Sequence, residues 1–302
     1  MPAFFSTIIA IVIDGLVFAS WIFIVAVGLS LIFGVMRILN VAHGSLYAFG
    51  AYVAASMVGW YFNADLPALG SLAVLLASAF IVGIPMGFLM ERGLLRFMYG
   101  RDEVIMVLVT YATFLMLEDA IMLIWGTDAY FAFEPYAMLG NTEIEDLVFS
   151  NYDLFLIGLA VGVAVLLWWG LNRTRIGKLL QAVIHDREMA MAFGINVTRV
   201  FTLTFILGAI LGALGGAFTA PQISVTPGIG VEVIILAFAV VAIGGMGSIP
   251  GALVGAILVG VFRAAAVHLF PQVEIFIIYA VMAFVLTFRP QGLFGQVVAR
   301  RI

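Results

Sequence analysis

LNRTRIGKLLQAVIHDREMAMAFGINVTR, residues Leu171 to Arg199, is the one long polar interruption in a chain that is otherwise almost continuously apolar. Five of the thirteen Lys and Arg residues fall in it, namely Arg173, Arg175, Lys178, Arg187 and Arg199. Basic residues concentrate on the cytoplasmic side of membrane helices, so the segment is expected in the cytoplasm with spans entering and leaving it. Thr174 is placed to cap a helix carrying Ile176, Leu180, Val183 and Ile184 on one face. Asp186 is placed to cap a shorter helix through Met189 to Phe193, and Gly194 stands where a left-handed C′ residue is wanted. Two short helices outside the membrane form either a docking surface or an interfacial connector.

Around this segment the composition is that of an integral membrane protein. The 302 residues are 65% hydrophobic and 10% charged, with a mean hydropathy of +1.22, whereas soluble domains average about 45–50% apolar and about 25% charged. The apolar runs are about 20 residues long, as helical crossings require, and the ten-residue alternating segments of a β-barrel are missing. The fold class is therefore all-α: one polytopic domain over residues 1–302, with about 8–9 transmembrane helices and broken or re-entrant segments. The chain has no cysteine, which excludes disulfides, thiolate metal sites and a Cys nucleophile. No basic patch suggests nucleic acid. No Lys or Arg precedes Arg37, so the basic n-region of a cleavable signal peptide is missing.

Read in order, a first span is expected from Asp14 to Phe33, after a short apolar lead-in. In GLSLIFGVMRILNVAHGSLYAFGAYVA, Gly28 to Ala54, the residues Arg37, Asn40, His43 and Ser45 interrupt the apolar run, and Gly34, Gly44 and Gly50 loosen it. A broken helix is predicted there, and non-helical backbone at membrane depth must be buried in protein or line a water-filled path. A turn without positive charge at Asn63 to Pro67 follows the second span. A third span runs from Leu69 to Leu89, and the charged loop with Glu91, Arg92, Arg96, Arg101, Asp102 and Glu103 then reads as inside.

The fourth span, Val104 to Trp125, holds Glu118 beside Asp119. A carboxylate at a span centre costs about 2.5–3.5 kcal/mol on insertion scales, so it faces the bundle interior or a cavity. Neighbours lie about 100° apart on a helix, so one of the two faces the pathway and the other is left to pair with Arg263 or a partner subunit. Residues 126–153 carry Asp128, Glu134, Glu143, Glu145, Asp146 and Asp153 with no Lys or Arg. This acidic loop is outside, either as a solvated face or as a surface for a soluble partner.

After residues 172–199 a sixth span runs from Val200 to Ala220. The apolar stretch 231–242 is short for a crossing, and GGMGSIPGALVGAILVG, Gly244 to Gly260, follows it. Its Gly247-Ser248 pair echoes Gly44-Ser45, and interrupted segments at corresponding places in two halves point to a transporter's binding region. Two more spans, Ala252–Leu269 and Val273–Phe288, are split by Pro271. Eleven of the thirteen basic residues fall in the three proposed inside segments, the last one carrying Arg289, Arg300 and Arg301. That asymmetry predicts an outside N-terminus and a cytoplasmic C-terminus.

Three of these stretches resemble bacterial ABC importer permeases of the branched-chain amino acid family. Gly177, Ala182, Asp186, Ala190, Gly194 and Ile195 match the coupling loop, with Gln181 where the family usually has Arg. Asn40, Ala42, His43 and Gly44 match a signature that opens the second membrane helix, and Gly244 to Gly251 matches a Gly-Gly-x-Gly-Ser-x-x-Gly run. The resemblance implies a second, different permease, two ATP-binding subunits, a periplasmic substrate-binding protein and a place in the inner membrane. The two breaks and the carboxylate within the fourth span point to a pathway through Asn40, His43, Gly44, Ser45, Glu118, Gly247 and Ser248, which on the resemblance would carry an amino acid or related small amide. No cofactor is expected in this chain, because Walker A is absent and ATP with magnesium would belong to the partners. An autonomous secondary transporter or small-solute channel, relaying ions through Glu118, Asp119, Arg263 and His268, is the alternative.

Overall fold

The computed structural model describes residues 2–144 and 147–295; Glu145, Asp146, Arg300 and Arg301 lie outside the described residues. The chain begins with α1 (Pro2–Met36), a continuous helix of 35 residues, about 52 Å long. The expected start at Asp14 is corrected. Asp14 does not interrupt the helix because its carboxylate is paired sideways, 2.7 Å from Nε2 of His268. Then follow α2 (His43–Asn63), α3 (Ser71–Gly93), α4 (Glu103–Trp125), the short α5 (Glu134–Met138), and the strands β1 (Asn141–Ile144) and β2 (Leu147–Ser150). The second half contains α6 (Asn151–Arg173), α7 (Arg175–His185), α8 (Arg187–Ala192), α9 (Val197–Thr219), α10 (Ile229–Gly244), α11 (Ile249–Leu269) and α12 (Glu274–Phe288).

Seven of these helices are long and apolar enough to cross a membrane. To them are added α2, which has the length but is less apolar, and α10, whose 16 residues span about 24 Å of a hydrocarbon core about 30 Å thick. The chain is thus an all-α polytopic membrane protein. Within the acidic loop the antiparallel pair β1–β2 sets Asn141 opposite Ser150, and Tyr130 bridges to Val225 in the turn after α9. Such short pieces carry no hydrophobic period long enough to announce them.

α1, α2 and α9 form the interior, while α6 and α12 have few buried residues. With no water to expel between helices in lipid, close approach through small residues holds them together. A Cβ added to Gly87 of α3 would lie 2.9 Å from Cα of Ile206 on α9, and one on Gly15 of α1 equally close to Cα of Val261 on α11.

Near the C-terminal end of α3, Glu91 turns into the protein rather than to solvent. Its carboxylate is fully buried, accepting from Tyr99 Oη at 2.5 Å and from Thr202 Oγ1 of α9 at 2.7 Å. Burial first, and then the Glu91 carboxylate, push the Tyr99 phenol well above its usual range.

Gly83→Val drives two methyl groups toward Cα of Ile210, already 2.5 Å from an added Cβ. It is expected to lower stability by about 1–3 kcal/mol, the usual cost of overpacking, read as an earlier loss of monodisperse protein on heating in detergent. Gly93→Val, with nothing within 4 Å of an added Cβ, serves as the control and should melt near the parent.

Candidate functional site

Residues 37–42 are not helical, and α2 begins beside the interior of α1 rather than at its end. His43 Nε2 is 3.0 Å from the Val25 carbonyl, eleven residues before Met36, or about 16 Å back along the α1 axis. Six residues in extended form reach about 20 Å, so this segment climbs back into the bundle as the predicted break requires. A carbonyl only accepts, so Nε2 is the donor, and in the neutral imidazole Nδ1 is then an acceptor. The imidazole is wedged between two glycines: Cε1 would lie 3.1 Å from a Cβ on Gly28 and 3.0 Å from one on Gly212.

One face of α4 supports the break. The Thr110 hydroxyl accepts from the Val41 N–H at 3.3 Å and lies 3.2 Å from the Leu39 carbonyl, while Ser45 Oγ donates to the Phe114 carbonyl at 3.4 Å. One turn further, Glu118 Oε2 accepts from the Gly228 N–H at 3.2 Å, just ahead of α10. Gly44 and Gly230 meet backbone to backbone, and an added Cβ on Gly230 would stand 2.6 Å from Glu118 Oε1. Glu118 thus turns inward and Asp119 outward. The suggested partner Arg263 is instead bound to Glu274 and stacked 4.3 Å over the Phe18 ring, because α11 lies against α1 and α12 rather than α4.

Asn40, His43 and Ser45 are fully buried, yet both polar atoms of the Asn40 amide, His43 Nδ1, Glu118 Oε1 and Tyr52 Oη have no hydrogen-bond partner among the described residues. An unpaired buried group costs about 1–3 kcal/mol, so such a concentration of free capacity along α2 and α4 marks a polar seam. Thr110 and Tyr52 belong to this seam and escaped the sequence reading. Thr110, Phe114 and Glu118 recur at the four-residue helical spacing, the signal that would have found Thr110.

Gly247 and Ser248 are not part of this cluster. They lie in the turn between α10 and α11 and pack on α1 nearer its C-terminus: Ser30 Oγ donates to the Ser248 carbonyl at 3.3 Å, and a Cβ on Gly247 would lie 2.9 Å from Cα of Gly34. Both line a cavity of ≈ 380 Å³ with Arg37, Gln181 and Ile184.

The polar segment folds as expected. Thr174 Oγ1 accepts from the Gly177 N–H at 3.0 Å, and Asp186 Oδ1 from the Met189 N–H at 3.0 Å. Gly194 has φ 79°; its N–H reaches the Met191 carbonyl at 2.9 Å and the Ile195 N–H reaches Ala190 at 3.0 Å, a Schellman closure. Gly177, Leu180, Val183 and Ala190 are buried, whereas Ile176 and Ile184, expected on the same face, are exposed. Exposed Met189 and Phe193, the latter at 81%, give α8 and its C-terminus an apolar outer face. Gln181 is exposed, with its amide folded back to donate to the Leu171 carbonyl at 3.1 Å. Ala182 is half-buried, and Asp186 is exposed beyond its cap.

Residues 11–286 match the family described as branched-chain amino acid transport system / permease component. The permease protein BraD of the high-affinity branched-chain amino acid transport system of Pseudomonas aeruginosa is 29% identical over 94% of both chains. LivH of Escherichia coli K12 is 26% identical over the same shares, and a probable LivH of Methanocaldococcus jannaschii is 29% identical over 82% of this chain and 77% of its own. The helix break at His43, the Gly247-Ser248 turn and the two-helix segment all lie inside the matched region, and the chain belongs to the branched-chain amino acid transport permease family.

Proposed function

We propose that this chain is one permease subunit of an ATP-driven importer in a bacterial inner membrane, carrying an amino acid or related small amide. The observation that supports this most is the likeness to BraD over 94% of both chains. A different second permease completes the membrane unit, two ATP-binding subunits dock on the cytoplasmic face, and a periplasmic binding protein delivers the solute to the acidic loop 126–153. Hydrolysis of ATP with magnesium takes place in the partners. The N-terminus is outside and the C-terminus inside. The exposed apolar face of α7 and α8, with Asp186, Gly194 and Ile195 setting its shape, is the ATPase contact. Asn40, His43, Gly44, Ser45 and Glu118 line the path, and the Gly247-Ser248 turn borders its cytoplasmic end.

Orientation is read by single cysteines in a chain that has none. Exposed Glu143→Cys should react with an impermeant thiol reagent applied outside, and exposed Arg101→Cys should react only after permeabilisation. The reverse pattern inverts the topology.

Coupling is tested by Gly194→Arg, which places a side chain at φ 79°, a conformation costing an L-residue about 1–2 kcal/mol. The variant should remain in the membrane and lose uptake and binding-protein-stimulated ATP hydrolysis together. Full transport by it would favour the autonomous carrier.

For the path, Glu118→Gln keeps an acceptor for the Gly228 N–H and should lower uptake less than Glu118→Leu, which strands that donor at about tenfold in rate. Equal damage from both would show that the charge itself is used. If His43→Leu and Glu118→Leu both transport at the parental rate in reconstituted vesicles, the path runs through α10 and α11 instead.

A further inference from the structure

A second cavity, of ≈ 700 Å³, lies in the half of the bundle that holds the acidic loop and is separate from the seam around His43. It falls within the size range of small-molecule sites, about 300–1,000 Å³. One wall is an aromatic ladder from α1 and α2: Phe18 meets Trp21 edge-on at 5.0 Å, and Trp21 meets Tyr47 at 6.1 Å. The facing wall is α10 and α12, with Glu232 in the first turn of α10. Arg263 from α11 and Glu274 from the start of α12 reach the same space.

Three ionisable side chains from three helices converge here, and charges within spans face water-filled spaces. Arg263 is held at both ends of its plane, by Phe18 beneath it at 4.3 Å and by Glu274, which accepts from Nη2. A guanidinium has five N–H donors, so this single acceptor leaves donors for a second carboxylate. Glu232 has no cation beside it among the described ion pairs, and the wall carries one more carboxylate than guanidinium. An anion alone would meet two carboxylates, and a cation alone would leave the Arg263 donors unused. A solute bearing both charges satisfies both. Ile235, Leu236 and Ile278 line the remaining wall and suit an apolar side chain.

We infer that this cavity is a binding site for a zwitterionic α-amino acid with an apolar side chain, Glu232 receiving the ammonium group and Arg263 the carboxylate. The inference rests on the amino-acid reading proposed above and adds to it the residues that select for the zwitterion.

The test uses the assembled importer in ATP-free proteoliposomes, with Ile235→Cys, an exposed wall position, as reporter in a chain lacking other thiols. Leucine should slow maleimide labelling of this cysteine. Isopentylamine, which is leucine without its carboxylate, and 4-methylpentanoate, which is leucine without its ammonium, should each need about ten- to hundredfold more ligand for equal protection, the range expected for one charge-assisted hydrogen bond. Glu232→Gln should erase the advantage of leucine over the acid, and Arg263→Gln its advantage over the amine; a purely structural role for either residue would not produce that crossed pattern. Uptake by the parent importer is measured first, in separate proteoliposomes supplied with ATP and the binding protein. Parental leucine uptake with no protection, or with equal protection by all three probes, overturns the site alone. Absent uptake of leucine by the parent sinks the amino-acid reading and the site with it.

Discussion

Backbone N–H and C=O groups inside a membrane have no water to turn to, and this chain breaks its helices twice within the bundle. Each break is closed by a third element. At 37–42 the closure comes from α4, where the Thr110 hydroxyl serves Val41 and Leu39. At 245–248 it comes from the segment after α12, whose Leu293 and Phe294 amides reach the carbonyls of Ile243 and Gly244, each at 2.9 Å. Ser248 then caps α11 through the Gly251 N–H at 3.1 Å. Both repairs hang on α1: His43 is tied to Val25 and the Ser248 carbonyl to Ser30. The two interruptions therefore share one stretch of α1, their anchoring residues Val25 and Ser30 lying within about one and a half turns of each other.

Much of this was legible in the residues. Long apolar runs fix the helices because a crossing needs about 20 apolar residues, and the caps Thr174 and Asp186 sit where hydroxyl and carboxylate side chains are wanted at helix starts. The two breaks were legible too, through Asn40, His43 and the Gly247-Ser248 pair. What stayed hidden were partnerships made across long sequence distances. Glu91 reads as one charge in a run of charges, and only the approach of Thr202, from 111 residues away, turns it inward. Arg263 offers no sequence clue to whether its partner comes from α4 or from the start of α12; packing of α11 between α1 and α12 decides it. The two cavities with charged walls are likewise products of how helices cross, which spacing along one chain does not encode.

The polar segment gains a route into the bundle from the same long-range contacts. Arg187 of α8 stacks 5.0 Å over the Phe201 ring of α9, Phe201 meets the Tyr99 ring edge-on at 5.1 Å, and Tyr99 donates to buried Glu91. A displacement of α8 is thereby passed to the ends of α3 and α9 together. These are close-packed helices, and packed interiors shift between discrete arrangements rather than deforming smoothly. On the other side, Gln181 and Ile184 of α7 face the Gly247-Ser248 turn across the ≈ 380 Å³ cavity.

The two routes differ in kind, and the difference bears on mechanism. Between α8 and α3 lie two rings meeting edge-on and a buried carboxylate, a close-packed contact. Between α7 and the Gly247-Ser248 turn lies open volume, so α7 has room to advance before it meets that turn. Gly177, whose added Cβ would meet the Leu171 backbone, pins the start of α7 to the end of α6, and Gln181 is tied to the same end. The segment is thus in direct contact with the α3–α9 pair through α8, and is separated from the second helix break by that cavity.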